Sequence, residues 1–275
     1  MPEYAKWFSG FGHRVFARPG MTAVYLRIVI LGFSVGPLLA AATHPRVLVY
    51  TRNYTGDGKG YVHDNIASSV QAIKKMGGEK GFAVDVSEDP ATFTQDNLKQ
   101  YSAIIFSNSN NQAFSSDAQR EAFRKYIESG GGFVGIHSAS GSERDWPYFW
   151  SVLGGKFAAH PKMQTFTVQV ADPLFAAVKN LPAHFEWTDE CYFIDHLNSD
   201  IHPVLVTDRS KLSALEQMKI DVASFPNPLP LAWYHQFDGG REFYLALGHN
   251  KEDYSNPILY RIIENGILWA IGPAR

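Results

Sequence analysis

The stretch Gly130-Gly-Gly-Phe-Val-Gly-Ile-His137 decides the fold. Three glycines end whatever helix precedes them, four residues follow that read as a buried strand, and the chain reaches a histidine where that strand must stop. Before it, Ser116 to Ser129 has helical spacing with Ser116 as its cap, and Ser102 to Phe106 is a continuous apolar run. A strand, a helix and a second strand at this spacing predict parallel strands covered on both faces. His137 then lies on a tight strand-to-helix turn, Gly-Ile-His-Ser-Ala, resembling a nucleophile elbow that presents its side chain over the sheet edge.

The same pattern extends in both directions. Arg46 to Thr51 reads as a buried strand and Val62 to Met76 as a helix stopped by Gly77, Gly78 and Gly81. Phe82 to Val86 is a short strand, and Phe93 to Leu98 turns into the next element. Beyond Trp146 the alternation changes: Gln164 to Val170 reads as an antiparallel strand, with further strands at Val204–Thr207, Leu229–Tyr234 and Glu242–Leu247. Pro257 to Ile271 closes as a helix, and Ser210 to Pro228 is expected to be an extended surface loop or arm. No internal repeat and no linker divides this part of the chain.

The amino-terminal region has another character. An apolar run from Ile28 to Ala42 follows Lys6, Arg14, Arg18 and Arg27, with Glu3 as the one acidic residue. It is shorter than the ~20 apolar residues that span a bilayer and ends in Ala40 and Ala42, which is the layout of a secretory signal peptide cleaved after Ala42. An uncleaved membrane anchor is the alternative. Met21 opens a segment of more usual signal length, so residues 1–20 are candidates for an over-extended start. Removing residues 1–42 takes four of the 25 basic and one of the 27 acidic residues, so the mature domain, 43–275, carries −5. This mildly acidic balance argues against a nucleic-acid partner and leaves a small-molecule ligand, a carbohydrate above all, as the expectation. The one cysteine, Cys191, permits neither an intrachain disulfide nor a cysteine-rich zinc site.

Polar chemistry collects just past the expected strand ends, at His63, His137, His160, Asp189-Glu190, His235 and His249. Parallel strands deliver their carboxyl ends to one edge, so these residues are expected to converge there. His137 and Glu190 are the candidate acid/base residues. His63, His137, His160 and His249 are the candidate ligands of one divalent metal, for which imidazole and carboxylate donors suit zinc, iron, nickel or manganese. No short-spaced metal signature such as H-E-x-x-H is present. Tyr61, Trp146, Trp187, Tyr192, Trp233 and Tyr254 supply aromatic faces at the same edge; His63, Trp146, Trp233 and Tyr254 are the candidate sugar contacts. Phosphate-binding glycine motifs and Gly-x-Ser-x-Gly are absent, which leaves nucleotide binding and serine hydrolysis unsupported.

His63-Asp64, Phe93-Thr94 with Asn97-Leu98, Tyr126 through His137-Ser-Ala, Asp145-Trp146-Pro147, Leu153-Gly-Gly-Lys-Phe157 with His160-Pro161, Asp189-Glu190, Ala232-Trp233, Gly239-Gly-Arg241 and Leu247-Gly-His249 with Tyr254 form an ordered set. In order and spacing the set resembles the ThuA-like (trehalose utilisation) family over residues 46–272. The resemblance implies an α/β, flavodoxin-like domain of the class I glutamine amidotransferase-like type, with a mostly parallel sheet. It also implies a role in catabolism of trehalose or related disaccharides, including 3-keto sugars, and carries His63, His137, His160, Glu190 and His249 over as site residues. Amidotransferases of this fold carry a cysteine at the elbow. Here the residue is His137, so the thiolate and with it glutamine hydrolysis should be missing. Two positions depart from the family pattern: Cys191 stands where a tryptophan is expected after Asp-Glu, and Arg261-Ile262 where a histidine is expected in the last helix. A sugar-acting enzyme and a non-catalytic sugar-binding module on the same fold are both compatible with this reading.

Overall fold

A computed structural model describes residues 44–56, 58 and 60–273. The expected signal or anchor segment, 1–42, lies outside the described residues, among which no helix is long and apolar enough to cross a membrane. The elements in chain order are β1 (Arg46–Tyr50), α1 (Ile66–Lys80), β2 (Ala83–Ser87), α2 (Gln95–Leu98), β3 (Ala103–Ser107), α3 (Asp117–Glu128) and β4 (Gly132–Ile136). There follow α4 (Pro147–Leu153), β5 (Lys156–Ala159), β6 (Gln164–Val170), β7 (His184–Asp189), β8 (Phe193–Asp195), β9 (His202–Thr207), β10 (Leu229–Phe237), β11 (Gly240–Leu245) and α5 (Pro257–Ile271).

The main sheet runs β2-β1-β3-β4-β11-β10-β9-β6-β7, and β5 pairs with β8 apart from it. Its first five strands are parallel, in the flavodoxin-like order with β11 as the fifth. The other four continue it antiparallel. The inner strands β1, β3 and β4 are buried on both faces, which is why they read as unbroken apolar runs, whereas β2 at the edge is only partly buried. Val47, Val49, Ile105, Val134, Ile136, Phe243 and Leu245 point to one core with α1 and α5. Leu48, Tyr50, Ile104, Phe106, Phe133 and Tyr244 alternate into a second core beneath α3 and α4.

Register sets the edge. Ser107 lies opposite Ile136, and Ile136 opposite Leu245, so β3, β4 and β11 finish level with one another. β7 ends at the same edge, and its last residue, Asp189, accepts a hydrogen bond from the Gly248 amide at 2.7 Å, just past β11. This contact ties the antiparallel half of the sheet to the parallel half.

Two sequence expectations shift. The first helix runs to Lys80 because Gly77 and Gly78 sit inside it. A Cβ at Gly77 would come within 2.6 Å of the Phe82 carbonyl oxygen, so close packing on the following turn requires glycine there. Gly81, at φ 76°, ends the helix. The segment 210–228 is not a free arm. Leu212 is buried, and Leu215, Met218, Ile220, Val222 and Phe225 pack against the first core through short 3-10 turns.

Asp189 is fully buried, with acceptor bonds from Gly248 N–H and Trp187 Nε1–H on one oxygen and Glu190 N–H on the other. Asp189→Ala is expected to cost about 2–4 kcal/mol in chemical denaturation, because buried donors are left unpaired, and Asp189→Asn to recover part of it. Glu242 has the opposite status: both its carboxyl oxygens are buried without a hydrogen-bond partner, and burial pushes its pKa well above the ordinary value. With the folded pKa raised, the group is tolerated below the unfolded carboxylate range and opposes folding increasingly as pH rises toward the folded value. Glu242→Met should therefore raise the thermal midpoint by roughly 2–8 °C at pH 8, a gain that shrinks toward pH 4.

Candidate functional site

His137 is the first residue beyond β4, with φ 49°, a left-handed conformation that a non-glycine residue adopts only when its surroundings impose it. Tyr244 supplies one restraint by donating its hydroxyl to the His137 carbonyl at 2.8 Å. The imidazole is fully buried, and Nδ1–H donates to the Ala246 carbonyl at 2.7 Å. That bond selects the tautomer and leaves the Nε2 lone pair facing the site. Nε2 lies 3.2 Å from His63 Nε2, 2.9 Å from the Tyr192 hydroxyl and 3.9 Å from Glu190 Oε2.

His63 comes from the β1–α1 connection, His249 from the turn after β11, and Glu190 from the residue after β7. His249 Nδ1 is 3.1 Å from Glu190 Oε2. One nitrogen or oxygen from each of His63, His137, Glu190 and His249 falls within 4.8 Å of all the others. Four ligands at about 2.0–2.1 Å from one ion stand about 3.4 Å apart at tetrahedral angles, a separation bracketed by the shorter of these contacts. One further observation fits a cation: the Tyr192 hydroxyl and His63 compete for one lone pair on His137.

The electrostatics sort the candidate ligands. Burial lowers His63 to about 3, with His137 and His249 adding to the effect, and burial lowers His137 to about 4 against the opposing bond to Ala246. Both are neutral at ordinary pH, the form that binds metal. His249 is raised, chiefly by Glu190. Burial would raise Glu190, but His249, His160 and His137 outweigh it and hold the carboxylate below its ordinary range. Asp189 is pushed up to about 6 by burial in spite of its hydrogen bonds.

The converging cluster differs from the expected metal set by a single exchange. His160 Nε2 lies 3.5 Å from Glu190 Oε1 and orients that carboxylate, while Glu190 itself reaches the cluster. His235 is not at this edge, because β10 runs antiparallel and its far end points away; its Nε2 bonds the Val152 carbonyl at 2.8 Å. Trp233 is fully buried in the second core, its indole N–H on the Leu153 carbonyl, and presents no face to a ligand. Tyr254 is also buried and acts as scaffold, donating to the Gly248 carbonyl and accepting from Asn108 Nδ2. Trp146 borders a hollow of about 760 Å³ next to the site.

Above the cluster is a cavity of about 380 Å³, bordered by Tyr61, Ser138, Arg144, Phe157 and Tyr192 among others. Tyr61 is 60% exposed, the aromatic face that the buried Trp233 and Tyr254 cannot supply. Two asparagines escaped the sequence reading. Buried Asn65, at the start of α1, donates to Asn108 Oδ1 and to the Gly248 and His249 carbonyls, joining that helix to the ends of β3 and β11. Asn108, at φ 53°, is the counterpart of His137 at the end of β3; a polar residue straight after an apolar run was its only signal.

Comparison with known proteins agrees with this architecture. A ThuA-like protein from Bacteroides uniformis superposes with TM-score 0.66 at 25% identity, covering 87% of this chain and 97% of that one. A ThuA-like protein from Parabacteroides merdae gives 0.62 at 18% identity, covering 84% and 91%. A cold-adapted β-galactosidase from Rahnella sp. R3 shares the fold over 31% of its own length, at TM-score 0.51 and 15% identity, covering 82% of this chain. No curated protein matches the sequence. The family model ThuA, described as trehalose utilisation, matches residues 46–270. With that match across nearly all of the described residues, and with ThuA-like proteins among its structural neighbours, the chain belongs to the ThuA family.

Proposed function

We propose that the protein acts on a small carbohydrate, trehalose or a related disaccharide including 3-keto forms, at a site that binds one divalent transition metal. The observation carrying this reading is the convergence of three imidazoles and one carboxylate within 4.8 Å at the floor of a cavity. Three nitrogen donors and one oxygen donor suit zinc, iron, nickel or manganese. An ion held by His63, His137, His249 and Glu190 would polarise a sugar hydroxyl or carbonyl.

The chain's own groups supply the rest. His137 keeps its Nε2 unprotonated through the bond to Ala246. Glu190, set between His249 and His160, can take and return a proton on the cavity side. Tyr61 offers a face for a sugar ring. Glutaminase activity is not part of this reading: the elbow holds an imidazole, and Cys191 is buried with its thiol pKa pushed up, which keeps it from forming a nucleophilic thiolate. In the same reading the chain is exported and residues 1–42 are removed, or retained as an anchor.

Metal analysis tests the core of this proposal. Purified protein should carry or take up about one equivalent of a divalent metal, and His137→Ala and His249→Ala should each abolish stoichiometric binding. Metal-free protein whose sugar affinity is unaltered in His137→Ala would favour a non-catalytic binding module instead. Metal affinity should also depend on pH in a particular way. His63 and His137, lowered to about 3 and 4, need no deprotonation above pH 5, whereas His249 must lose a proton held by Glu190. Affinity is expected to rise through and above the usual histidine range and then level off. A steep loss of affinity tracking two or three protons would contradict it.

A further inference from the structure

Two polar groups on the cavity wall are not used by the metal cluster. Ser138 follows His137 and is 3% exposed, and its Oγ is buried with no hydrogen-bond partner among the described residues. A buried hydroxyl left unpaired is costly unless something in the cavity completes it. Arg144, also on this wall, bonds two neutral oxygens: Nε–H donates to the Gly141 carbonyl at 3.0 Å and an Nη to Asn110 Oδ1 at 3.3 Å. Among the described residues no carboxylate forms an ion pair with it. Arg120, near by, is instead neutralised by Glu143 and Asp117 at 2.8 and 2.9 Å.

The balance of charge around the cavity follows. Among the described residues Glu190 is the one carboxylate bordering it, and Glu190 is engaged by His249 and His160. A guanidinium with no carboxylate in a close ion pair among the described residues, Asp145 acting on it only at longer range, then faces a site whose other occupant would be a cation. Both attract an anion, and a guanidinium presents parallel N–H donors that match the two oxygens of a planar carboxylate. Phe157, with its ring 5.5 Å from the guanidinium carbon, and Tyr61 leave apolar surface for the carbons of a ring.

We propose that Ser138 and Arg144 form a carboxylate-recognition subsite, so that the preferred substrate is an acidic sugar, a uronate or aldonate, anchored by its carboxylate with its hydroxyl-bearing carbons toward His137 and Glu190. This shifts the preferred substrate of the site proposed above from a neutral disaccharide to an acidic sugar, and rests on that reading for the chemistry, not for the binding.

Calorimetric titration of the metal-reconstituted protein with glucuronate, gluconate, glucose, trehalose and glucose 6-phosphate tests it, with metal content measured on the same samples. One of the two acids should bind at least about tenfold more tightly than glucose or trehalose. Arg144→Gln should erase that preference, Ser138→Ala should reduce it, and neither variant should change metal content. Neutral sugars binding as tightly as the acids, glucose 6-phosphate binding more tightly than either acid, an acid preference surviving in Arg144→Gln, or no sugar binding at all would each overturn the subsite. A protein without metal that keeps an Arg144-dependent acid preference would overturn the metal reading and leave the subsite standing. Metal-loaded protein preferring neutral sugars would do the reverse.

Discussion

The turn from Ala246 to His249 is held by side chains from distant parts of the chain, and the site depends on it. The Ala246 carbonyl accepts from His137, the Gly248 and His249 amides donate to Asp189, and the Gly248 and His249 carbonyls accept from Asn65. Backbone groups outside a helix or strand must find partners when buried. Meeting that demand here joins the ends of β4, β7 and β11 to the loop that carries His63. One of these bonds orients the His137 imidazole and the others fix the backbone that carries His249, so the scaffold and the candidate metal centre are one network.

This arrangement carries local costs. His137 and Asn108 hold left-handed backbone conformations at adjacent strand ends, and Asp189 is an acid buried deeply enough for its pKa to rise to about 6. Strain and buried polarity persist where the surrounding structure over-determines them. The two cores of the parallel sheet, packed on both faces, provide that surrounding structure. Below the site, Trp233 and Tyr244 pack with ring centroids 4.5 Å apart, filling the space under the elbow.

Much of the parallel half was legible because a strand buried on both faces leaves an apolar run and a helix over it leaves a 3.6-residue period. The α3 cap at Ser116 and the limits of α5 at Pro257 and Ile271 follow from such local signals. Site residues were legible where they stood directly after such runs, as His137 and His249 do. Local pattern failed where the answer depended on strand direction or side-chain environment. His235 follows an apolar run like the others, but its strand is antiparallel. Trp233 and Tyr254 have the composition of sugar-stacking residues, yet packing and hydrogen bonding place both inside.

By itself, then, the amino-acid order determined the layered α/β architecture, the elbow histidine in place of a thiol nucleophile, and three of the four residues that converge as candidate metal ligands, His63, His137 and His249. These are properties of neighbouring residues, written in periodicity and in side-chain chemistry. Only the tertiary structure decided that Glu190 rather than His160 completes the cluster, that burial lowers the pKa of His63 and His137, and that Ser138 and Arg144 border the same cavity. Those facts depend on distances of a few ångströms between residues up to 186 positions apart, from His63 to His249. Distances of that kind are set by register, twist and burial of the whole sheet, which no local stretch of sequence encodes.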